Sequence, residues 1–218
     1  RIVKIDGKST EKMSLQDAVK NLRGEPGTQV SITVLRPSSG GIKDYKLTRA
    51  VINIDMIKDV NGKKEFPLGE NKVGYVRIVQ FGEKTSDDLD AALKKLKAQG
   101  MQALILDLRW NPGGLLDQAV EVSEKFLPRG ELVVTTEGRN SGQNSTRKAG
   151  GRDELHNIPM VVLVNLGSAS ASEIVAGCLQ DLKRAIVLGE RTFGKGSVQS
   201  IMPLADGSAL RLTTAKYY

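Results

Sequence analysis

Residues 165–199 read NLGSASASEIVAGCLQDLKRAIVLGERTFGKGSVQ, and the reading of this stretch decides that of the whole chain. An apolar strand, Met160 to Val164, runs into Asn165-Leu166-Gly167. Serines then alternate with alanines before the chain turns helical. From Ser170 to Asp181 the residues Ile174, Val175, Gly177, Cys178 and Leu179 fit a helix with one buried side. Ser170 therefore stands at or just before a helix N-terminus, where unpaired backbone N–H groups and the helix dipole favour negative charge. Two roles suit a serine there. It is an N-cap, or it is a nucleophile whose developing oxyanion is held by the same amides.

Lys195 follows twenty-five residues later, between Gly194 and Gly196, in a loop after the strand AIVLG. Flanking glycines let the backbone turn tightly and bring a lysine into a crowded site. The chain has a single histidine, His156, so a serine nucleophile needs either His156 or a lysine as its base. A lysine serves when burial removes its solvation and leaves the amine neutral.

SASASE, an AGxLQD helix and then ERTFGKGSVQ resemble the C-terminal processing peptidases, also called tail-specific proteases. The resemblance runs from about Arg1 to Tyr218. It implies that Ser170 is the nucleophile, Lys195 the general base and Gln199 the side chain that positions the lysine, with Asp181 in a structural role. It also implies that the segment Asp107-Leu-Arg-Trp-Asn-Pro-Gly-Gly114 supplies an oxyanion-hole amide from Gly113 or Gly114, the other coming from Ala171. From the residues alone, that segment is a tight turn between a strand and a helix, with free amides at the helix start. Trp110 stands where the family often has a polar residue, and it either lines the substrate groove or packs against the loop.

Composition narrows the alternatives. The 218 residues, 39% hydrophobic and 26% charged, describe an ordinary globular protein with ample material for a core. The net charge of +7 invites a nucleic-acid reading, but residues 1–50 carry ten basic against five acidic groups while the rest is nearly balanced at 22 against 20. With aromatics at 4% and no basic stretch interleaved with them, a solvated basic face is expected and no nucleic acid. Cys178 is the only cysteine, which excludes an internal disulfide and suits a small core residue. One Cys and one His do not furnish a zinc site, so neither metal nor cofactor is expected. His156 is expected to be exposed in a long polar loop, Glu137 to Asn157.

Along the chain, residues 1–50 give a strand (Ile2 to Ile5), a helix from Leu15 to Leu22 capped by Ser14 with Asp17, and strands at Gln29–Leu35 and Tyr45–Arg49. That order resembles the second half of a PDZ domain. Residues 51–72 read as a connector with a hairpin turn at Asn61-Gly62. The strand from Gly74 to Val79, a helix capped by Thr85 or Ser86 with the stripe Leu89, Ala92, Leu93 and Leu96, and the strand Ala103–Leu108 imply a right-handed crossover and a parallel pair. Ser197–Met202 and Ala209–Thr213 read as a hairpin. The expectation is an α/β fold: a crotonase-like core of repeated strand–helix units over residues 73–218, with a partial PDZ domain before it. Arg1 reads as lying in a strand already under way, so the chain is expected to be a fragment.

Two rivals compete with the peptidase. Gly189 to Lys195 fits the phosphate-binding G-x-x-x-x-G-K, but Gly196 replaces the magnesium-binding hydroxyl and no helix is expected to follow. The other is a non-catalytic PDZ-type peptide-binding scaffold with an inactive enzyme domain. The family resemblance further implies unfolded or tail-bearing protein substrates, an adaptor or activator protein, a homo-oligomer, and work in the periplasm or at the cell envelope.

Overall fold

A computed structural model describes residues 1–51, 55–151, 155 and 158–218. His156 lies outside the described residues. The chain divides into two compact units, Arg1–Ile54 and Asp55–Tyr218.

The first unit is a four-stranded antiparallel sheet, in the order β2-β1-β3-β4, built from β1 (Ile2–Ile5), β2 (Lys8–Ser9), β3 (Gln29–Arg36) and β4 (Gly41–Thr48). Between β2 and β3 lies α1 (Leu15–Leu22). Its first turn forms as the sequence dictates, Ser14 Oγ accepting from the Asp17 amide at 3.1 Å.

The second unit begins with β5 (Ile57–Lys58), which pairs antiparallel with β6 (Val73–Ile78), Ile57 opposite Ile78. The Asn61-Gly62 turn is organised by a carboxylate. Buried Asp59 accepts from the amides of Asn61, Lys63, Glu65 and Phe66 at 2.9–3.1 Å. Burial alone would push this carboxyl up, but the four donors hold it below its ordinary value.

After β6 come α2 (Thr85–Ala98), β7 (Ala103–Asp107) and α3 (Leu116–Glu124). The stripe Leu89, Ala92, Leu93 and Leu96 is buried as its spacing requires. Neither Thr85 nor Ser86 is the cap, however: the N-cap is Lys84, without a side-chain bond. Thr85 Oγ1 instead takes the Gly82 amide, and the Ser86 amide goes to Gln118. Next are β8 (Leu132–Gly138) and β9 (Ser145–Lys148), which folds back along β8 inside the stretch expected to be an unbroken loop. β10 (Met160–Val164), α4 (Ala171–Asp181) and β11 (Ile186–Gly189) complete the main layer, and β12 (Ser197–Pro203) with β13 (Ala209–Tyr217) forms the closing hairpin.

The main sheet runs β11-β10-β7-β6-β5 and is parallel apart from β5. The second sheet, β12-β13-β8-β9, is antiparallel. Apolar runs such as ALIL and MVVLV form strands of the parallel layer, and Leu104, Leu106, Val162 and Val164 are at most 4% exposed. Because β7 and β10 are parallel neighbours in register, Leu163 opposite Asp107, the loops after them emerge at the same edge. Ligand sites of open parallel sheets lie at that edge.

Candidate active site

The loops after β7 and β10 are tied together by polar groups that both sequences supply. Ser168 Oγ donates to the Leu108 carbonyl at 2.8 Å, and the Ala169 amide and Ser172 Oγ both donate to the Asn111 carbonyl at 3.0 and 2.9 Å. In return Asn165 Oδ1 accepts from the Trp110 and Gly167 amides. Deeper in, Asp107 is fully buried. Burial would raise its carboxyl, but bonds from Arg109 and the Tyr75 hydroxyl hold it below the usual range.

Ser170 lies at the seam. It is the N-cap of α4, 8% exposed, with φ 55° and ψ −114°. Left-handed backbone is unfavourable for a residue with a Cβ, and such strain concentrates at functional sites. Three hydrogen bonds hold the turn. The amides of Glu173 and Ile174 donate to the Ser170 carbonyl, and the Ser170 amide donates to Glu173 Oε2 at 2.7 Å. Gly113 completes the seam by close approach. A Cβ there would meet the Ala169 carbonyl oxygen at 2.6 Å, and the Ala171 nitrogen and Ser170 Cβ at 2.9 Å.

Ser170 opens on a cavity of about 460 Å³ between one face of α4 and the strands β8 and β13. Ile174, Gly177, Cys178 and Asp181 continue the α4 face at helical spacing, while Leu132, Val134 and Tyr217 stand opposite. Lys195, half-buried, lines the same cavity. The cysteine is buried, and burial pushes its thiol up to about 11. Burial likewise raises the Tyr217 phenol, against the pull of the neighbouring Ser170 hydroxyl.

The structure thus brings Ser170, Lys195, Ala171 and Gly113 into one neighbourhood. Gly114 is adjacent, pressed so closely on Phe81 that a Cβ would meet its carbonyl oxygen at 2.1 Å. Gln199 is exposed on β12, at a register irregularity, and is not part of the cavity wall. Trp110 is 68% exposed at φ 62°, with its ring over Gly167, also outside the cavity. After Lys195 the chain enters β12 and not a helix, so the phosphate-loop reading lacks its helix N-terminus.

Two residues of the neighbourhood were not singled out from sequence. Tyr217 reaches the cavity because β13 runs to Tyr217, well past the expected Thr213, with its amide bonded to the Gly196 carbonyl at 2.9 Å. Glu173 stands three residues after Ser170, the capping-box spacing that would have marked it. Its Oε2 accepts from the amides of Ser170 and Lys195, and its Oε1 from the Gly194 amide and Thr192 Oγ1.

Residues 72–218 match the model of Peptidase family S41. The whole chain aligns at 45% identity over 221 residues with a carboxy-terminal-processing protease of Bartonella bacilliformis. It aligns at 41% over 217 residues with a carboxyl-terminal-processing protease of Picosynechococcus. It covers 49% and 51% of those proteins, so the chain spans about half the length of the curated relatives it matches. Among solved structures, the photosystem II D1 C-terminal processing protease superposes over all of this chain and 57% of its own, with a TM-score of 0.66 at 37% identity. With that match covering the mixed α/β core and both loops of the seam, the chain belongs to peptidase family S41, among relatives named for carboxyl-terminal processing.

Proposed function

We propose that the protein is a serine endopeptidase of the C-terminal processing type, in which Ser170 attacks the scissile carbonyl and Lys195 is the general base. The observation that carries this reading is the strained Ser170, at the start of α4, sharing one cavity with Lys195. Lys195 takes the Ser170 Oγ proton as the C–O bond forms, returns it to the leaving amine as the C–N bond breaks, and then activates the water that hydrolyses the acyl-enzyme.

The oxyanion falls to the amides of Ala171 and Gly114. Among the described residues these two N–H groups donate to no protein acceptor, whereas the Gly113 N–H is taken by Asn111 Oδ1. Each donor of this kind contributes about 3 kcal/mol to the transition state. Gln199 is assigned the holding of the lysine amine and Trp110 a place along the substrate path, both on family resemblance. The same resemblance supports a crotonase-like core, a partial PDZ domain over residues 1–50, work in the periplasm or at the cell envelope, and assembly with an adaptor or with further copies.

The substrates are loosely structured proteins cut near their C-termini. The test uses the full-length protein and two unfolded polypeptides that differ only in their last residues, with products mapped by mass spectrometry. Cleavage that depends on the tail supports the reading. Binding of both polypeptides without cleavage replaces it with a peptide-binding scaffold.

A further inference from the structure

Glu173 carries four hydrogen bonds from two segments, the Ser170 turn and the loop from Thr192 to Lys195. Its Oε2 takes the Ser170 amide at 2.7 Å and the Lys195 amide at 2.9 Å, and its Oε1 takes the Gly194 amide at 2.7 Å and Thr192 Oγ1 at 2.8 Å. A carboxylate offers about four lone-pair sites. All are engaged here by neutral donors, and the residue lies in the first turn of α4, where the helix dipole favours a negative charge. Among the described residues no lysine or arginine forms an ion pair with it.

We propose that Glu173 is a positioning residue that sets the lysine loop against the nucleophile turn, an inference that rests on the Ser170/Lys195 reading above. The loop from Glu190 to Gly196 contains no regular structure. Three of its groups hang on this one side chain, which in turn holds the backbone of the strained serine. The tether grips the backbone of Lys195 and leaves its amine alone. That distinction has a chemical consequence. An ion pair with a carboxylate favours the charged amine, the form unable to accept the serine proton. A carboxylate saturated by amides and a hydroxyl places the lysine without offering it such a pair.

The test compares full-length wild type with Glu173→Gln and Thr192→Val. Glutamine keeps the shape but turns an NH2 group toward two of the donors, and valine removes one donor alone. Hydrogen exchange at the Gly194 and Lys195 amides, thermal midpoints, and single-turnover and steady-state cleavage of an unfolded polypeptide are measured together. The expected result is faster exchange at both amides in Glu173→Gln, kcat down by about 10²-fold with KM within about twofold, and a fall of only a few fold in Thr192→Val. Exchange unchanged in Glu173→Gln overturns the tether. A lowered thermal midpoint with wild-type single-turnover rate overturns the positioning role and leaves a stabilising one. If wild type itself does not cleave, the peptidase reading fails, and the positioning role with it, while the exchange rates still decide the tether.

Discussion

Asn111 Oδ1 accepts the Gly113 amide at 2.9 Å while its Nδ2 donates to the Ile78 carbonyl. The side chain is fully buried, and the pair of bonds fixes its orientation. It therefore separates two glycines that sequence leaves equivalent: the Gly113 amide is consumed inside the turn, and the Gly114 amide has no protein acceptor among the described residues.

Replacing Asn111 by alanine strands a buried donor on Gly113 and a buried acceptor on Ile78. At about 1–3 kcal/mol for each unsatisfied group, the variant should lose about 2–6 kcal/mol of stability, read from urea unfolding. Cleavage should fall as well, because the Gly114 amide, proposed above for the oxyanion, is next in the chain.

Gly113→Ala should be more damaging to function than to folding. The added Cβ meets backbone atoms of Ala169 and Ala171, which have no flexible end to move, and φ is +96°. Displacing the nucleophile turn by a fraction of an ångström should lower kcat about 10²-fold or more, with KM little changed. Steady-state kinetics on folded variant checks it.

Tyr75 gives a pH signature. Burial first, and then the Asp107 carboxylate, push its phenol from 10.0 up to about 12. A raised value in the folded state favours the neutral phenol, so this contribution is fully present below pH 10 and is lost as pH rises toward 12. Wild type should lose stability over that interval and Tyr75→Phe less steeply, the variant being about 1–2 kcal/mol weaker at pH 7 through the lost bond to Asp107. Unfolding midpoints at pH 7, 10 and 11.5 test the sign.

Cys178 should alkylate slowly. With its thiol pushed up to about 11 by burial, little thiolate exists at pH 8. Iodoacetamide should modify native protein at least tenfold more slowly than urea-unfolded protein, and Cys178→Ala should retain cleavage. Loss of cleavage in a folded Cys178→Ala would bring the thiol into the chemistry.

Much of this was legible in the residues. Continuous apolar runs marked β7 and β10, buried on both faces, and a helical period marked α2 and α4, each of which buries an apolar face that local spacing records. Ser170 stands at the N-cap of α4 as its place in the sequence implies, and the roles given to it and to Lys195 rest on the family resemblance. What stayed hidden depends on contacts between distant segments. Gly113 and Gly114 differ only through Asn111 and Phe81, and β13 extends to Tyr217 only because β8 offers an edge to pair with. The capping of α2 went astray because Thr85 has a competing partner in Gly82.

The central claim is that Ser170 and Lys195 act as one unit. The most direct measurement is cleavage of an unfolded, tail-bearing polypeptide by the full-length protein beside Ser170→Ala, Lys195→Ala and Gln199→Ala, each checked by circular dichroism. The account predicts cleavage by wild type and its loss, by at least about 10³-fold, in both Ser170→Ala and Lys195→Ala. Gln199→Ala, exposed and outside the cavity, should lose less. Full activity in a folded Ser170→Ala or Lys195→Ala would contradict the account.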